Sequence, residues 1–195
     1  MNLSPAAIQV LRDLLARHGE VSEAQLAVLA SAVSEHKFSK GDIFLAAGNP
    51  ARLAALVVSG LMGEFYLLPD GSRKAKWLAR PGSVFGSLED LVRDGPSRTQ
   101  IEGLSDGVLL CMPYSKLRDL ALREPVWTAF TLSLIESLYQ QKSEREYTLL
   151  MLDAAARYAW FREQFGSMAG QLSQEIIASY LGISAVHLSR VRNAR

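Results

Sequence analysis

The most informative part of the chain is residues 172–192, which have the sequence LSQEIIASYLGISAVHLSRVR. Ser173 has the side chain of a helix N-cap, and apolar residues at helical spacing follow it as far as Leu181. Gly182 can adopt the left-handed conformation that ends a helix and turns the chain sharply. Ser184 is suited to cap a second helix directly afterwards. The segment therefore predicts two short helices joined by a tight turn.

The side chains of this segment indicate what the helix pair is for. Ala178 is small, which lets the second helix cross closely over the first. The inward positions are apolar: Ile177, Leu181, Ile183, Leu188 and Val191. The outward face of the second helix is polar and basic: Ser184, His187, Ser189, Arg190 and Arg192. This pattern predicts a helix-turn-helix that binds double-stranded DNA, and a plain helical hairpin is the alternative.

In such a motif the second helix enters the major groove with its N-terminal residues toward the base edges. Arg190 and Arg192 are then placed for phosphate or guanine contacts. Ser173 and Gln174, at the start of the first helix, are expected to bind phosphates through their side chains and free backbone N–H groups.

Composition limits the remaining possibilities. The chain has 195 residues, a hydrophobic content of 49% and a formal net charge of +1. Residues 155–195 hold five arginines and two glutamates, a net charge of +3, which leaves −2 for the rest. The N-terminus lacks a secretory signal and no apolar run is long enough to span a membrane, so a cytoplasmic protein is expected. The single Cys111 and the three histidines, at no metal-ligand spacing, predict neither a metal site nor an iron–sulfur cluster.

Upstream of this motif the pattern predicts a β domain preceded by helices. Residues 4–17 and 22–35 have the apolar spacing of two amphipathic helices, the second opened by a capping box at Ser22. Between about residue 37 and residue 113, six short β-rich runs alternate with turns: DIFLAA, LAALVVSG, GEFYLL, RKAKWLA, TQIEGL and GVLLCMP. Asp70-Gly71 between two apolar runs predicts a β-hairpin. Strands of this length and spacing predict a sandwich or barrel, for which a jelly roll is one solution.

Helical periodicity returns over residues 125–152. Trp127, Phe130, Leu134 and Leu138 define one apolar face, and Leu132, Ile135 and Tyr139 define another. One face is predicted to pack on the β domain and the other to form a dimer interface, with burial of the whole helix within one chain as the alternative. A further helix is predicted over residues 153–165, followed by the loop GSMAG.

A β domain, a long helix and a helix-turn-helix in this order resemble the Crp/Fnr family of bacterial transcription regulators. Residues 40–88, KGDIFLAAGNPARLAALVVSGLMGEFYLLPDGSRKAKWLARPGSVFGSL, are similar to the family's cyclic-nucleotide-binding-like jelly roll. Residues 177–192, IASYLGISAVHLSRVR, are similar to its winged-helix reading head. The resemblance, over about residues 35–195, implies an α+β fold with a sensory domain at 1–124, a dimerisation helix at 125–152 and a DNA-binding domain at 153–195. It also implies a homodimer on a two-fold-related DNA site, with RNA polymerase as a further partner.

The resemblance implies an effector pocket at Gly86, Ser87, Leu88, Arg98 and Thr99. Nucleotide-binding members hold the ribose with a Gly-Glu pair and the cyclic phosphate with an Arg-Ser or Arg-Thr pair. Arg98-Thr99 matches the second pair, but Ser87 stands where the ribose-binding glutamate is expected. Arg98 can alternatively form an ion pair with Glu89 or Asp90. We therefore expect another small molecule, or no ligand, in preference to a cyclic nucleotide bound in the usual way.

The reading head also departs from the family pattern, since Ala185 and Val186 stand where well-studied members place Arg and Glu. Apolar contact with thymine methyl groups is expected there instead. The alternative function is a cyclic-nucleotide-responsive module whose helix-turn-helix contacts protein. An enzyme of the cupin type, which shares the jelly roll, needs a histidine-rich metal triad, and the domain offers only His36 at its edge. We therefore expect a non-enzymatic protein.

Overall fold

A computed structural model describes residues 3–19, 22–93 and 95–193. The expected outer domain limits, Met1 and Arg195, lie outside these ranges. The described residues form an N-terminal helical pair, a two-sheet β domain, a long helix and a C-terminal group of helices. The predicted α+β fold with an N-terminal jelly roll is confirmed. No helix in the described ranges is both long and apolar enough to cross a membrane.

The elements follow one another in a simple order. The α-helices are α1 (Pro5–His18), α2 (Glu23–Ala32), α3 (Leu88–Arg93), α4 (Tyr114–Arg123), α5 (Pro125–Met151), α6 (Ala154–Phe165), α7 (Gln174–Leu181) and α8 (Ala185–Asn193). The strands are β1 (Ser34–Phe38), β2 (Ile43–Leu45), β3 (Leu53–Ser59), β4 (Met62–Leu67), β5 (Arg73–Ala79), β6 (Val84–Phe85), β7 (Thr99–Gly103) and β8 (Gly107–Pro113).

The strands form two four-stranded antiparallel sheets, ordered β1-β8-β3-β6 and β2-β7-β4-β5. This is a jelly-roll arrangement, with an apolar interior built on Val57, Ile101 and Leu109. The predicted hairpin joins β4 and β5, and Gly71 lies in its turn with a φ of +81°. All six predicted β-rich runs contain a strand.

Several features differ from the sequence-based predictions. The second helix ends at Ala32 instead of residue 35, because Ser34 pairs with Cys111 of β8 and begins β1. Strands β1 and β6 and helix α4 were not predicted. The segment expected as the loop GSMAG is a 3-10 helix, Gly166–Gln171. Downstream of β8 the described residues contain no strand, so the wing implied by the resemblance is not among them.

The long helix α5 divides its apolar residues between two environments. Trp127, Phe130 and Leu134 are buried against α1, α2 and the sheet that contains β3 and β8. On the opposite side Leu132, Ile135 and Tyr139 are 58%, 41% and 71% exposed in the single chain. The two-faced pattern predicted from the sequence is therefore present.

The C-terminal helices pack directly on the other sheet. Phe161 of α6, Leu181 of α7 and Leu188 of α8 belong to one apolar cluster with Phe65 of β4 and Leu78 of β5. Strand β5 is thus the surface on which the C-terminal helices rest.

Candidate functional site

The turn between α7 and α8 is fixed by local hydrogen bonds. Ser173 Oγ accepts from the backbone N–H of Ile176 at 3.3 Å and caps α7. Gly182 has φ 68° and ψ 29°, and its N–H donates to the Ser179 carbonyl at 3.2 Å. Ser184 Oγ then accepts from the His187 N–H at 3.1 Å at the start of α8. Helix α7 begins and ends where the sequence predicts, and α8 begins where it predicts.

The two faces of α8 differ in burial. Leu188 is fully buried against Ile177 and Leu181, and Ile183 and Val191 are half-buried. The predicted contact residues lie mostly on the outer surface. Exposed are Ser173, Gln174, Ser184, Val186, His187, Arg190 and Arg192, while Ala185 and Ser189 are half-buried. Neither Arg190 nor Arg192 forms an ion pair with another described residue.

A cavity of about 590 Å³ opens between α6 and α8. Ser184, His187 and Arg190 line one side, and Ala155 and Tyr158 of α6 line the other. Sequence reasoning did not single out the two α6 residues. Their only signal was the position of α6 immediately before the helix pair.

Arg157 serves a structural role, although it was counted in the C-terminal basic cluster. Its Nε donates to the Leu152 carbonyl at 2.8 Å and its Nη1 to the Leu181 carbonyl at 3.0 Å. The Leu181 carbonyl ends α7 and the Leu152 carbonyl follows α5, and each is an acceptor that its helix leaves free. The guanidinium of Arg157 therefore holds α6 against the end of α7 through hydrogen bonds.

A second arginine connects the helix pair to the β domain. Arg145 Nη2, from α5, donates to the Ala75 carbonyl of β5 at 3.2 Å and to the Tyr180 carbonyl of α7 at 3.0 Å. Its guanidinium carbon lies 4.4 Å from the centre of the Tyr180 ring. Beside it, Ser179 Oγ accepts from the Ala75 N–H at 2.9 Å. Burial raises the pKa of Tyr180 to about 12, although Arg145 and Arg80 act in the opposite direction.

The expected effector pocket has a different arrangement from the one the resemblance implies. Thr99 is 1% exposed, whereas the side chain of Arg98 is 64% exposed and lies 3.5 Å from Glu89 Oε1. Ser87 is buried, with a left-handed φ of 50°, and Leu88 is half-buried at the start of α3. The alternative ion pair of Arg98 with Glu89 is thus the one observed.

Gly86 is required by close packing. A Cβ there would lie 2.5 Å from the Leu53 carbonyl oxygen, so any other residue would force strand β3 away. Gly86 therefore keeps the segment between β6 and α3 against β3, a structural role that needs no ligand.

Buried polar side chains fill the space beside Gly86 with a hydrogen-bond network of their own. The Asp90 carboxylate accepts from Ser87 Oγ at 2.6 Å, from Ser97 Oγ at 2.7 Å and from Arg93 Nη2 at 2.8 Å. Burial acts to raise the pKa of Asp90, but the bonds from Ser87, Ser97 and Arg93 lower it overall. The network thus holds Asp90 as a carboxylate.

Three further polar residues, Glu64, Lys76 and Thr99, continue this group of side chains on the strands. Thr99 Oγ1 and Lys76 Nζ each donate to Glu64 Oε1 at 2.8 Å. Burial acts to lower the pKa of Lys76, yet Glu64 raises it overall. The residues present do not fit a cyclic nucleotide, because Arg98 is turned outward and no carboxylate stands at Ser87 for the ribose.

The jelly roll, the long helix and the C-terminal helices define a β domain of the cyclic nucleotide-binding type that carries a helical C-terminal unit. Residues 35–124 match the family model described as "Cyclic nucleotide-binding domain". No curated protein matches the chain significantly.

Solved structures share the fold over most of the chain. FixK2 from Bradyrhizobium japonicum is 24% identical with a TM-score of 0.71, and the match covers 83% of each chain. A CooA mutant from Carboxydothermus hydrogenoformans is 20% identical with a TM-score of 0.66, covering 89% of this chain and 80% of that one. The catabolite activator protein of Thermus thermophilus is 20% identical with a TM-score of 0.56, covering 93% and 85%.

Proposed function

We propose that this chain is a homodimeric, DNA-binding transcription regulator of the Crp/Fnr type. The observation that carries the proposal is the outer face of α8, where Arg190 and Arg192 are exposed and unpaired with any described residue. Gly182 turns the chain so that this face follows α7 directly, in the order that a helix-turn-helix requires. The similarity of fold to FixK2 and to the Thermus catabolite activator protein supports the same proposal.

In the proposed complex, α8 lies in the major groove. Arg190 and Arg192 contact phosphates or guanine, and Ala185 and Val186 contact thymine methyl groups. Ser173 and the N-terminus of α7 bind a phosphate through the hydroxyl and free N–H groups. The cavity between α6 and α8 adds Tyr158 to the surface that faces the DNA backbone.

Dimerisation is proposed through α5. Leu132, Ile135 and Tyr139 continue toward the exposed Tyr147 and Leu150 in one stripe along the helix. Ser143 and Glu146 interrupt this stripe, but exposed apolar residues repeated along one side of a long helix are characteristic of an interface between helices. Two copies joined here would present two α8 helices to successive major grooves, and RNA polymerase is the partner we propose for the DNA-bound dimer.

We propose that residues 1–124 form the sensory domain, residues 125–152 form the dimerisation helix and residues 153–195 form the DNA-binding domain. Because the hydrogen-bond network of Asp90 satisfies the buried polar groups beside Gly86, this sensory domain does not hold a cyclic nucleotide in the family's usual way. Regulation would then shift the population of orientations of the two α8 helices within the dimer.

Selection of duplexes from a random library tests this function. We expect enrichment of two related half-sites, centred about one helical turn apart. Ile135→Asp should give a monomer by sedimentation and lose binding to the paired site, whereas Leu122→Asp, at an exposed apolar residue of α4, should stay dimeric. If no sequence is enriched, and a cyclic nucleotide binds tightly by calorimetry, a module that contacts protein through α7 and α8 becomes the better account.

A further inference from the structure

A cavity of about 280 Å³ lies where β5, α5, α6 and α7 meet, away from Arg98 and from the DNA-facing surface of α8. Aromatic side chains from three of these elements line it: Trp77, Trp160, Phe165 and Tyr180. The rings of Trp160 and Tyr180 are nearly parallel, with centroids 6.2 Å apart. The volume lies just below the usual range for ligand pockets, about 300–1,000 Å³, which favours a small ligand.

The same cavity contains one residue of each charge. Arg80, half-buried on the sheet side, and Glu144, exposed on α5, both line it. Neither forms an ion pair with another residue of the described ranges. Glutamine side chains of α5 and α6 add amide donors and acceptors to the wall.

We propose that this cavity is a binding site for a free aromatic amino acid. The half-buried rings of Trp77 and Trp160 would contact the ring of the ligand, for which stacked and edge-on contacts are favourable, whereas Phe165 and Tyr180 are each 3% exposed and already packed in the cluster that holds the C-terminal helices. Arg80 would bind the α-carboxylate, and Glu144 would bind the α-ammonium group. A zwitterion with one ring uses both unpaired charges and the apolar wall at once, which an aliphatic acid or an uncharged arene does not.

Occupancy would matter for regulation, because the lining residues come from the sheet, the dimer helix and the helices that lead to α8. A ligand that contacts all of them favours the arrangement in which the C-terminal helices rest on β5. This regulatory role rests on the proposed function, but ligand binding itself does not.

Titration with L-phenylalanine tests the site, because the ligand leaves the fluorescence of Trp77 and Trp160 observable. We expect a saturable change in tryptophan emission and matching heat by calorimetry. Arg80→Gln and Glu144→Gln should each weaken binding at least tenfold, and Arg98→Gln, which removes an exposed arginine at the expected nucleotide pocket, should leave it unchanged. N-acetyl-L-phenylalanine lacks the ammonium charge, and L-phenylalaninamide lacks the carboxylate charge. Both should bind the wild-type protein more weakly than L-phenylalanine does, which tests both charges without altering the protein.

The proposal is overturned if millimolar L-phenylalanine gives no saturable signal. It is also overturned if both ligand derivatives bind as well as the amino acid, or if Arg98→Gln weakens binding as much as Arg80→Gln. The titration contains no DNA, so a negative result does not contradict the DNA-binding proposal. A protein that fails to bind DNA but binds L-phenylalanine would likewise leave the proposed ligand site intact.

Discussion

Replacing Arg145 with methionine should weaken the attachment of the C-terminal helices to the β domain. Methionine keeps an unbranched apolar stem but removes both bonds from Nη2, to Ala75 and Tyr180, and the contact with the Tyr180 ring. Bonds from a charged donor are worth about 1.5–3 kcal/mol each, and we take the lower value because one nitrogen makes both. The cation–π contact adds about 1 kcal/mol.

One contribution to the free energy of unfolding acts in the opposite direction. The Nε of Arg145 is buried without a hydrogen-bond partner among the described residues, and removal of such a donor returns about 2 kcal/mol. The net destabilisation expected for Arg145→Met is therefore about 2 kcal/mol. With a urea m-value of about 2–3 kcal/mol per M for a chain of this size, the unfolding midpoint should fall by somewhat less than 1 M.

The assay is urea unfolding followed by tryptophan emission, to which Trp77 and Trp160 beside this junction contribute together with Trp127. Arg118→Met, at an exposed arginine of α4 with no bond to another described side chain, is the matched control and should stay within about 0.5 kcal/mol of wild type. Equal midpoints for both variants would refute the role assigned to Arg145.

Three further predictions concern single residues. Gly182→Ala should lower the free energy of unfolding by about 1 kcal/mol, measured in urea, because alanine is strained at a φ of 68°; an unchanged value would mean that the turn relaxes. The lowered pKa of Asp90 gives stability that is complete above its unfolded-state pKa of about 3.9 and is lost as the pH falls through the folded-state pKa. The Asp90→Asn variant should therefore be less stable at neutral pH, and its free energy of unfolding should fall less steeply as the pH is lowered. Parallel curves of the free energy of unfolding against pH for the wild type and the variant would contradict the network. Burial raises the pKa of Cys111 to about 11, so its thiol should resist alkylation at pH 8 until the protein is unfolded, and rapid native-state labelling would contradict this.

The elements predicted well from the sequence are those fixed by local signals. Ser173, Gly182 and Ser184 set both limits of α7 and the start of α8 through contacts within a few residues. The hairpin at Asp70-Gly71 likewise depends on one turn. Strand β1 was missed because its conformation is decided by pairing with β8, some seventy residues away in the chain.

The parts of the site that were not predicted depend on contacts between distant residues. Arg157 looked like part of a basic surface, but its partners are backbone carbonyls, which carry no sequence signal. The hydrogen-bond partners of Arg145 are likewise backbone carbonyls, so nothing in the sequence indicated its role. The resemblance placed Arg98 and Thr99 in one pocket, and neither residue alone indicates that one side chain is exposed while its neighbour is buried.

The central claim is that the outer face of α8 binds DNA, and the salt dependence of binding tests it most directly. Affinity for a selected duplex should be measured by fluorescence anisotropy over a range of salt concentrations for wild type, Arg190→Ala, Arg192→Ala and Arg118→Ala. Loss of a phosphate contact should weaken binding and make the slope of log K against log salt shallower by about one for each contact. We expect this change in at least one of the two α8 variants and none in Arg118→Ala. Identical affinity and slope in all four proteins would contradict the claim.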